Sequence, residues 1–300
     1  MAMTLRLQEP FRTVFYVPFY AAMARGAFDA EGLGVELLVG TSPRGGGERV
    51  LAAVMSGEAD VGWGGPIRVL MEHDRDPVSP LRCFGAAVLA DPFFIVGRTP
   101  RPDFRLADLA GLTLGVVSEV PTPWWMLAHD LARASVNPAA IKLVNGPGMA
   151  ENAAALTAGN LDAAQLLEPF VTDLVRAGVG HVWDAASSRG ATAYSTFYAM
   201  QPRIDAKRDA IAALLRGMAS TLAWVRQAAP GEIAETVGRF LPDLAPEVLL
   251  DVIARYQAGG IWPATPAITV EAFERLRAAM LRAGAITRPS TFEECVFASA

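Results

Sequence analysis

Short β-rich segments alternate with helical segments through the first two-thirds of this 300-residue chain. The first strand-type runs are TLRLQ (4–8), VELLVG (35–40) and DVGWG (60–64), and helical runs at about 16–31 and 48–58 separate them. Strands that alternate with helices in this way are typical of a mostly parallel sheet with helices on both faces. The sequence therefore predicts an α/β fold.

A second unit with the same rhythm begins near residue 92. It contains the strand-type runs FFIVGR (93–98), TLGVV (113–117) and DAAQLL (162–167), with helical runs at 124–134 and 149–159 between them. After a further strand at 194–201, the pattern becomes wholly helical. The helices predicted there cover about 205–227, 231–240, 245–258 and 270–283.

Composition and charge exclude two broad classes of protein. Twenty-six basic and 31 acidic residues give a net charge of −5, and no Lys/Arg cluster is present, which argues against a nucleic-acid partner. The mean hydropathy is +0.28, yet no segment approaches about 18 uninterrupted apolar residues, the length of a membrane span. The most apolar run, TVFYVPFYAAMA (13–24), is interrupted by Pro18 and predicts a buried element.

The start of the chain and its cysteines bear on the compartment. The run MAMTLRLQEP has neither a basic nor an apolar leader region, so we expect either a cytoplasmic protein or one whose leader was replaced by an expression start. Cys83 and Cys295 are too few for a disulfide framework. Neither has the neighbours of an activated thiol, which favours buried structural cysteines, and the sequence leaves open whether they are bridged.

Four segments, in this order and spacing, resemble a known family. They are FYAAMARGAFDAEGLGVEL (19–37), GGGERVLAAVMSGEADVGWGG (45–65), LADLAGLTLGV (106–116) and AALTAGNLDAAQLLEPF (154–170). They resemble the solute-binding proteins of ABC importers for nitrate, taurine, aliphatic sulfonates and thiamine pyrimidine precursors, the SsuA/THI5-like group.

The resemblance implies a two-lobed periplasmic-binding-protein type II fold, each lobe being a mostly parallel sheet flanked by helices. Lobe 1 would comprise residues 1–90 and 195–300, and lobe 2 residues 91–194. The chain would cross between the lobes near 89–93 and 187–194, and a ligand in the cleft would draw the lobes together. The implied partners are a small-molecule ligand and a membrane permease, with no cofactor.

In lobe 1, the run SPRGGGERV (42–50) places three glycines directly before a helix. It lacks the lysine and hydroxyl of a nucleotide-binding P-loop and the spacing of a dinucleotide-binding turn. A helix N-terminus with Gly45, Gly46 and Gly47 predicts close approach to a polar or anionic group, whereas the alternative is a flexible linker. Arg44 is either a counter-ion for the ligand or a solvated arginine.

The run WGGP (63–66) repeats this arrangement at the end of a strand, where ligands collect in α/β sheets. Trp63 is predicted to stack on a planar ligand, with Gly64 and Gly65 leaving space; the alternative is a core tryptophan. Three more aromatic residues are candidates for the cleft wall or for the core. They are Phe15, Tyr16 and Tyr194.

In lobe 2, SEVPTPWW (118–125) occupies the equivalent place after a strand. Its two prolines lack N–H donors, so Ser118, Glu119 and Thr122 become the predicted polar contacts. One of the adjacent tryptophans, Trp124, is predicted to face the cleft. The carboxylate of Glu168 either accepts from a ligand or favours its own helix N-terminus.

The sequence predicts no catalytic residues and no metal site. Its three histidines are not spaced with Cys, Asp or Glu as a metal set, and no G-x-S-x-G motif occurs. We therefore expect a solute-binding protein for a small aromatic or heterocyclic ligand. Two alternatives remain open: a cytoplasmic enzyme of the same fold, resembling pyrimidine synthases or aromatic-acid decarboxylases, and a cytoplasmic ligand sensor.

Overall fold

The computed structural model describes residues 3–40 and 44–297, in which helices flank two five-stranded sheets. The strands are β1 (Met3–Gln8), β2 (Leu33–Leu38), β3 (Val61–Gly64), β4 (Leu81–Val88), β5 (Phe94–Gly97), β6 (Thr113–Gly115), β7 (Lys142–Val144), β8 (Ala163–Leu166), β9 (His181–Ala185) and β10 (Ser195–Met200). The helices are α1 (Val17–Ala24), α2 (Gly46–Ser56), α3 (Ile67–Arg75), α4 (Thr122–Arg133), α5 (Met149–Thr157), α6 (Phe170–Arg176), α7 (Gln201–Ala206), α8 (Arg208–Gln227), α9 (Pro230–Val237), α10 (Pro246–Ala258), α11 (Val270–Arg282) and α12 (Phe292–Cys295).

The first sheet has the strand order β2-β1-β3-β10-β4. β1 pairs in parallel with β2 and β3, so that Leu5 lies opposite Val35 and Leu7 opposite Val61. The late strand β10 inserts antiparallel between β3 and β4. Four of the five strands thus point the same way, and the chain leaves β1 and β3 at the same edge of the sheet.

The second sheet has the order β7-β6-β8-β5-β9. β6 pairs in parallel with β7 and β8, whereas β5 runs antiparallel between β8 and β9. This sheet again contains one reversed strand, the first one after the crossing from the other sheet. The predicted α/β fold with two mostly parallel, helix-flanked sheets is confirmed. We propose that each sheet, with the helices that flank it, forms one lobe: the first sheet belongs to lobe 1 and the second sheet to lobe 2.

Two segments, 89–93 and 187–194, carry the chain between the sheets and are hydrogen-bonded to each other. The Thr192 N–H donates to the Leu89 carbonyl at 2.8 Å, and the N–H of Ala186, just before the second segment, donates to the Phe93 carbonyl at 2.9 Å. Arg189 of the second segment also forms an ion pair with Asp91 of the first. The two crossings therefore form one connected structure between the lobes.

Two predicted helices are interrupted. The run at 16–31 is divided into a 3-10 turn (Val14–Tyr16), α1 and a second 3-10 turn (Asp29–Glu31). α1 ends before Gly26, which adopts a left-handed φ of 66° between α1 and the second turn. The run at 205–227 is broken at Lys207 between α7 and α8. The four-residue helix α12 was not predicted, since so short a segment carries no periodic signal.

The C-terminal helices contact both sheets. Tyr256 of α10 stacks on Phe94 of β5 with ring centroids 6.1 Å apart, and its hydroxyl accepts from the Glu168 N–H at 3.2 Å. Met126 of α4 lies in one buried cluster with Phe273 of α11. Lobe 1 therefore packs on lobe 2 at both sides of the crossings. Among the described residues, no helix has the length and apolar character needed to cross a membrane.

Candidate functional site

A cavity of about 70 Å³ lies between the two lobes. Its walls come from the loops that follow β1, β3 and β8, the segment before α4 and the first residues of α2, α3, α4 and α5, together with both crossings. The lining residues are Pro10, Phe11, Phe15, Tyr16, Gly47, Gly64, Gly65, Ile67, Arg68, Phe93, Glu119, Val120, Thr122, Met149, Leu167, Tyr194 and Ser195. This position at strand ends is where α/β sheets hold ligands.

Four helices begin at the cavity. Gly47, Ile67, Thr122 and Met149 all line it, and each is the first or second residue of its helix, α2, α3, α4 or α5. The N-terminus of a helix carries unpaired N–H groups and partial positive charge. The backbone therefore gives this cavity a positive potential that favours an acidic group on a bound molecule.

Arg68 is the cationic side chain in the cavity wall. Its side chain is only 13% exposed, and one guanidinium nitrogen pairs with the far more exposed Glu48 at 2.9 Å. Its Nε is buried without a hydrogen-bond partner in the described part of the chain. A Cβ on Gly47 would lie 2.5 Å from this guanidinium, so the glycine provides the space that Arg68 occupies.

Glu119 contributes a carboxylate from the opposite lobe. Its Oε1 accepts from the Met149 N–H at 2.7 Å, which ties the loop before α4 to the start of α5. Its Oε2 is buried and has no partner among the described residues. A Cβ on Gly148 would lie 2.6 Å from Oε1, so that glycine allows the close approach.

Two phenols, Tyr16 and Tyr194, also belong to the polar part of the wall. Burial raises the pKa of Tyr16, and the nearby polar side chains of Ser195 and Trp63 offset part of that rise. Burial also raises the pKa of Tyr194 well above its usual value. Both side chains are therefore neutral at physiological pH. The Tyr194 hydroxyl has no hydrogen-bond partner within residues 3–40 and 44–297.

The remaining wall is largely aromatic. Phe15 contacts Phe11, Tyr16 and Tyr194, with ring centroids 6.3, 4.4 and 6.5 Å apart. The ring centroid of Phe93 lies 6.2 Å from that of Tyr194. Such a wall offers ring edges and faces to a planar apolar body.

Eight of the predicted residues line the cavity, but their contact with a ligand remains a prediction. They are Phe15, Tyr16, Gly47, Gly64, Gly65, Glu119, Thr122 and Tyr194. Tyr194 of the second crossing and the two glycine-containing turns therefore converge on the cavity. The other seven predicted residues lie elsewhere.

Both predicted cleft tryptophans lie in packed clusters instead. Trp63 is 1% exposed, with its ring centroid 3.9 Å from that of Phe19 in α1. Its side chain faces the helix that covers the sheet, so the core alternative describes its placement. Trp124 packs against the buried cluster around Leu109 and Leu127 in lobe 2, and its neighbour Trp125 packs toward the lobe 1 cluster that contains Phe273. Neither tryptophan lines the cavity.

Glu168 lies outside the cavity with both oxygens bonded to protein groups. Oε2 accepts from the Thr172 N–H at 2.8 Å, while Oε1 accepts from the Thr172 hydroxyl and from the Arg255 Nε at 2.7 Å. Burial raises its pKa, although Thr172 and Arg255 offset part of the rise. Glu168 therefore bonds to the first turn of α6 and joins the lobes, which agrees with the second of its two predicted alternatives and not with its inclusion among the ligand contacts.

Among the described residues of the glycine loop, Gly47 is the one that lines the cavity. Gly45 caps α2 with a left-handed φ of 69°, and Gly46 packs so closely on Pro10 that a Cβ would lie 2.8 Å from its carbonyl oxygen. Arg44 is exposed and donates to the Ser118 hydroxyl of lobe 2 at 3.2 Å. These four predicted contacts thus flank the cavity instead of lining it. Residues 42–43 of the loop lie outside the described residues.

Sequence reasoning missed nine lining residues. They are Pro10, Phe11, Ile67, Arg68, Phe93, Val120, Met149, Leu167 and Ser195. Pro10 and Phe11 follow β1 directly, so the rule that ligands bind at strand ends would have identified them. Arg68 lies one residue beyond the helix start in WGGPIR (63–68), where the same rule applies.

The described part of the cavity wall contains neither cysteine nor histidine. Cys83 and Cys295 are free and buried, and burial raises the pKa of each thiol to about 12. Within residues 3–40 and 44–297, no group of three or more His, Cys, Asp or Glu side chains is arranged to hold a metal ion.

Two α/β lobes with a cavity between them at the strand ends define the periplasmic-binding-protein class of fold. The chain belongs to the NMT1/THI5-like family, whose family model matches residues 15–231. The resemblance seen in the sequence is thereby confirmed.

Individual relatives agree with this assignment of the fold. YtlA of Bacillus subtilis (strain 168), which carries a provisional description as a binding protein, is 22% identical over 294 residues, covering 97% of this chain and 87% of YtlA. The periplasmic aliphatic sulphonate binding protein SsuA from Escherichia coli superposes with a TM-score of 0.78 at 17% identity, covering 99% of this chain and 98% of SsuA. The desulfurization enzyme DSZB superposes with a TM-score of 0.67 at 16% identity, covering 99% of this chain and 97% of DSZB.

Proposed function

We propose that this protein captures a small aromatic or heterocyclic molecule between its lobes and delivers it to the permease of an ABC importer. The observation that carries the proposal is one cavity whose wall is drawn from both lobes and both crossings. Its family and the binding-protein names of YtlA and SsuA support the same function. No bond in the ligand is made or broken.

Capture would couple ligand contact to lobe closure. Lobe 1 supplies Arg68 and the starts of α2 and α3, whereas lobe 2 supplies Glu119, Thr122 and the starts of α4 and α5. A ligand that touches both sets binds the closed arrangement more tightly than an open one, and so it shifts the population toward closure. The closed form is the one a permease would recognise.

The preference for a planar ring rests on the aromatic wall around Phe15 and Tyr194. Aromatic side chains pack on planar ligands through offset or edge-to-face contacts. A mutant of the fold relative DSZB was solved in complex with biphenyl-2-sulfinic acid, an aromatic acid. A flexible aliphatic chain would use this wall less completely because it presents no ring face.

An importer component works outside the cytoplasmic membrane, and we propose an extracytoplasmic location for the mature protein. The name of the Escherichia coli relative, a periplasmic binding protein, supports this location. The partner would be a membrane permease, which receives the ligand as the lobes open. A cytoplasmic sensor would bind the ligand equally well, but deletion of the protein would leave uptake of labelled ligand unchanged.

A thermal-shift screen of aromatic and heterocyclic compounds tests capture, since a ligand that binds only the folded state raises Tm. Each hit is then recovered and checked for chemical change. The blocking variant is Gly65→Leu, because a Cβ there meets only ordinary contacts with Ile67 and Tyr194 while the longer side chain fills the cavity. The matched control is Gly231→Ala in α9, remote from the cavity.

We expect hits that are recovered unchanged, that are lost in Gly65→Leu and that are retained in Gly231→Ala. A hit that is converted to product would contradict the transport function and identify an enzyme. Hits that persist in Gly65→Leu would place binding outside this cavity.

A further inference from the structure

Three side chains in the cavity wall each have one buried polar atom without a protein partner among the described residues. The atoms are Nε of Arg68, Oε2 of Glu119 and the hydroxyl oxygen of Tyr194. Buried polar atoms are nearly always hydrogen-bonded, so each exception calls for an explanation. Three exceptions around one small cavity indicate that a bound molecule supplies the missing partners.

The chemistry of the three groups differs in a useful way. Arg68 only donates hydrogen bonds and carries a positive charge, so it matches an anionic acceptor. An ionised Glu119 only accepts, so it matches an N–H or O–H donor. The neutral Tyr194 hydroxyl serves as donor or acceptor.

The two charged groups lie on opposite lobes and are only partly satisfied within the protein. Arg68 of lobe 1 shares its charge with the exposed Glu48, and Glu119 of lobe 2 accepts one backbone N–H from Met149. The exposed Arg44 of the glycine loop donates to Ser118. A ligand that engages both Arg68 and Glu119 therefore spans the two lobes.

We propose that the cavity selects a planar ring that carries two different groups: an acidic group bound by Arg68 and an N–H donor bound by Glu119. Tyr194, in the crossing segment, binds whichever of the two groups lies nearer. This inference rests on the proposed function and specifies its ligand class. A purely anionic ligand leaves Glu119 Oε2 without a donor and faces its negative charge, whereas a purely amine-bearing ligand leaves the Arg68 Nε–H without an acceptor.

Matched sets of small rings test the proposal. One set is 4-aminobenzoate, benzoate and aniline; a second is 6-aminonicotinate, nicotinate and 2-aminopyridine. Titration calorimetry measures each affinity for the wild-type protein and for two variants, Arg68→Met and Glu119→Gln. Circular dichroism and Tm establish that both variants are folded.

In at least one set we expect the ring with both groups to bind at least about tenfold more tightly than either ring with one group. A tenfold gain in affinity corresponds to one hydrogen bond to a charged group. In Arg68→Met, the acidic group should no longer increase affinity, whereas the amino group should still do so. Glu119→Gln should do the reverse. This crossed pattern distinguishes ligand recognition from a general loss of structure.

Equal affinity of the acid-only and the two-group rings would overturn the proposal, as would equal losses for every ring in both variants. Failure of all six rings in the wild-type protein would also overturn it as stated. The broader thermal-shift screen decides the proposed function separately, because a hit of another chemical class would sustain capture while excluding this ligand class.

Discussion

Arg189 and Asp91 form a buried ion pair between the two segments that carry the chain from one lobe to the other. The Asp91 carboxylate also accepts from the Phe93 N–H at 3.0 Å, and the Arg189 Nε donates to Asp130 of α4 at 2.6 Å. Helix α4 begins at the cavity with Thr122. The crossings and one wall of the cavity are therefore joined through a single guanidinium.

Replacement of Arg189 by Met should lower the free energy of unfolding by about 3–5 kcal/mol, because it leaves the buried Asp91 without its counter-ion. Urea denaturation at pH 7 measures the loss. The double variant Asp91→Asn/Arg189→Met should recover part of it, since the buried charge of Asp91 is then removed as well, and only the part due to Asp130 is left. A single variant within about 1 kcal/mol of wild type, the range of an exposed ion pair, would contradict this role.

Tyr194→Phe should weaken ligand binding about 5- to 20-fold without loss of stability, because it removes a hydroxyl that has no partner in the protein. Tyr198 provides the control. Its hydroxyl is also buried without a partner among the described residues, but it does not line the cavity. Tyr198→Phe should therefore leave affinity unchanged. Calorimetric titration of both variants with the best hit decides, and equal effects would exclude a ligand role for Tyr194.

Gly47→Ala should displace Arg68 and lower affinity about tenfold while the protein stays folded. The added Cβ would lie 2.5–2.8 Å from guanidinium atoms, which belong to the mobile end of a long side chain. Alanine is itself favoured in a helix by about 1 kcal/mol, which limits the cost in stability. Gly231→Ala is the control, because its nearest neighbour, Leu250, is 3.5 Å away. Unchanged affinity in Gly47→Ala would show that the position of Arg68 does not matter for binding.

Asp60 should stabilise the fold in a pH-dependent manner. Burial raises its pKa, but the Arg6 N–H and the charges of Lys207 and Arg203 outweigh burial, so that the pKa is lowered overall from 3.8. An acid with a lowered pKa contributes its full stability above the unfolded value and loses it as the pH falls through the folded value. The contribution should therefore be complete at neutral pH and disappear below pH 3.8.

Denaturation of Asp60→Asn between pH 7 and acidic pH tests this expectation. The variant should be about 2–4 kcal/mol less stable than wild type at pH 7, as expected when a buried charge pair is broken, and the gap should close in acid. The exposed Asp103→Asn should show little difference at any pH. If the stability difference between variant and wild type stays constant from pH 7 to acidic pH, the loss comes from the shape of the side chain and not from its charge.

The sequence predicted the parts of the site that depend on chain order. Strand ends and helix starts follow from the alternation of elements, which is why Gly64, Gly65, Glu119 and Thr122 could be predicted for a cleft and do line the cavity, while their contact with a ligand stays a prediction. Tyr194 could be predicted for the cleft because it lies in the return crossing between the second unit and the C-terminal helices.

Predictions failed where a side chain's direction or a distant partner decides. Trp63 stands at a strand end, but the covering helix α1 turns that face of the sheet into core. Glu168 has its charge partner in Arg255, 87 residues further along the chain, and no local pattern reveals that pair. Arg68 was missed because an arginine inside a short helix gives the same local signal as a solvated one.

The central claim is that an intact ligand lies between the lobes and touches both. The most direct measurement is a crystal structure of the protein with the tightest-binding compound from the screen. We expect unaltered ligand between Phe15 and Val120, with one polar group at Arg68 and another at Glu119. Ligand bound outside this cavity, or density for a chemically altered product, would contradict the account.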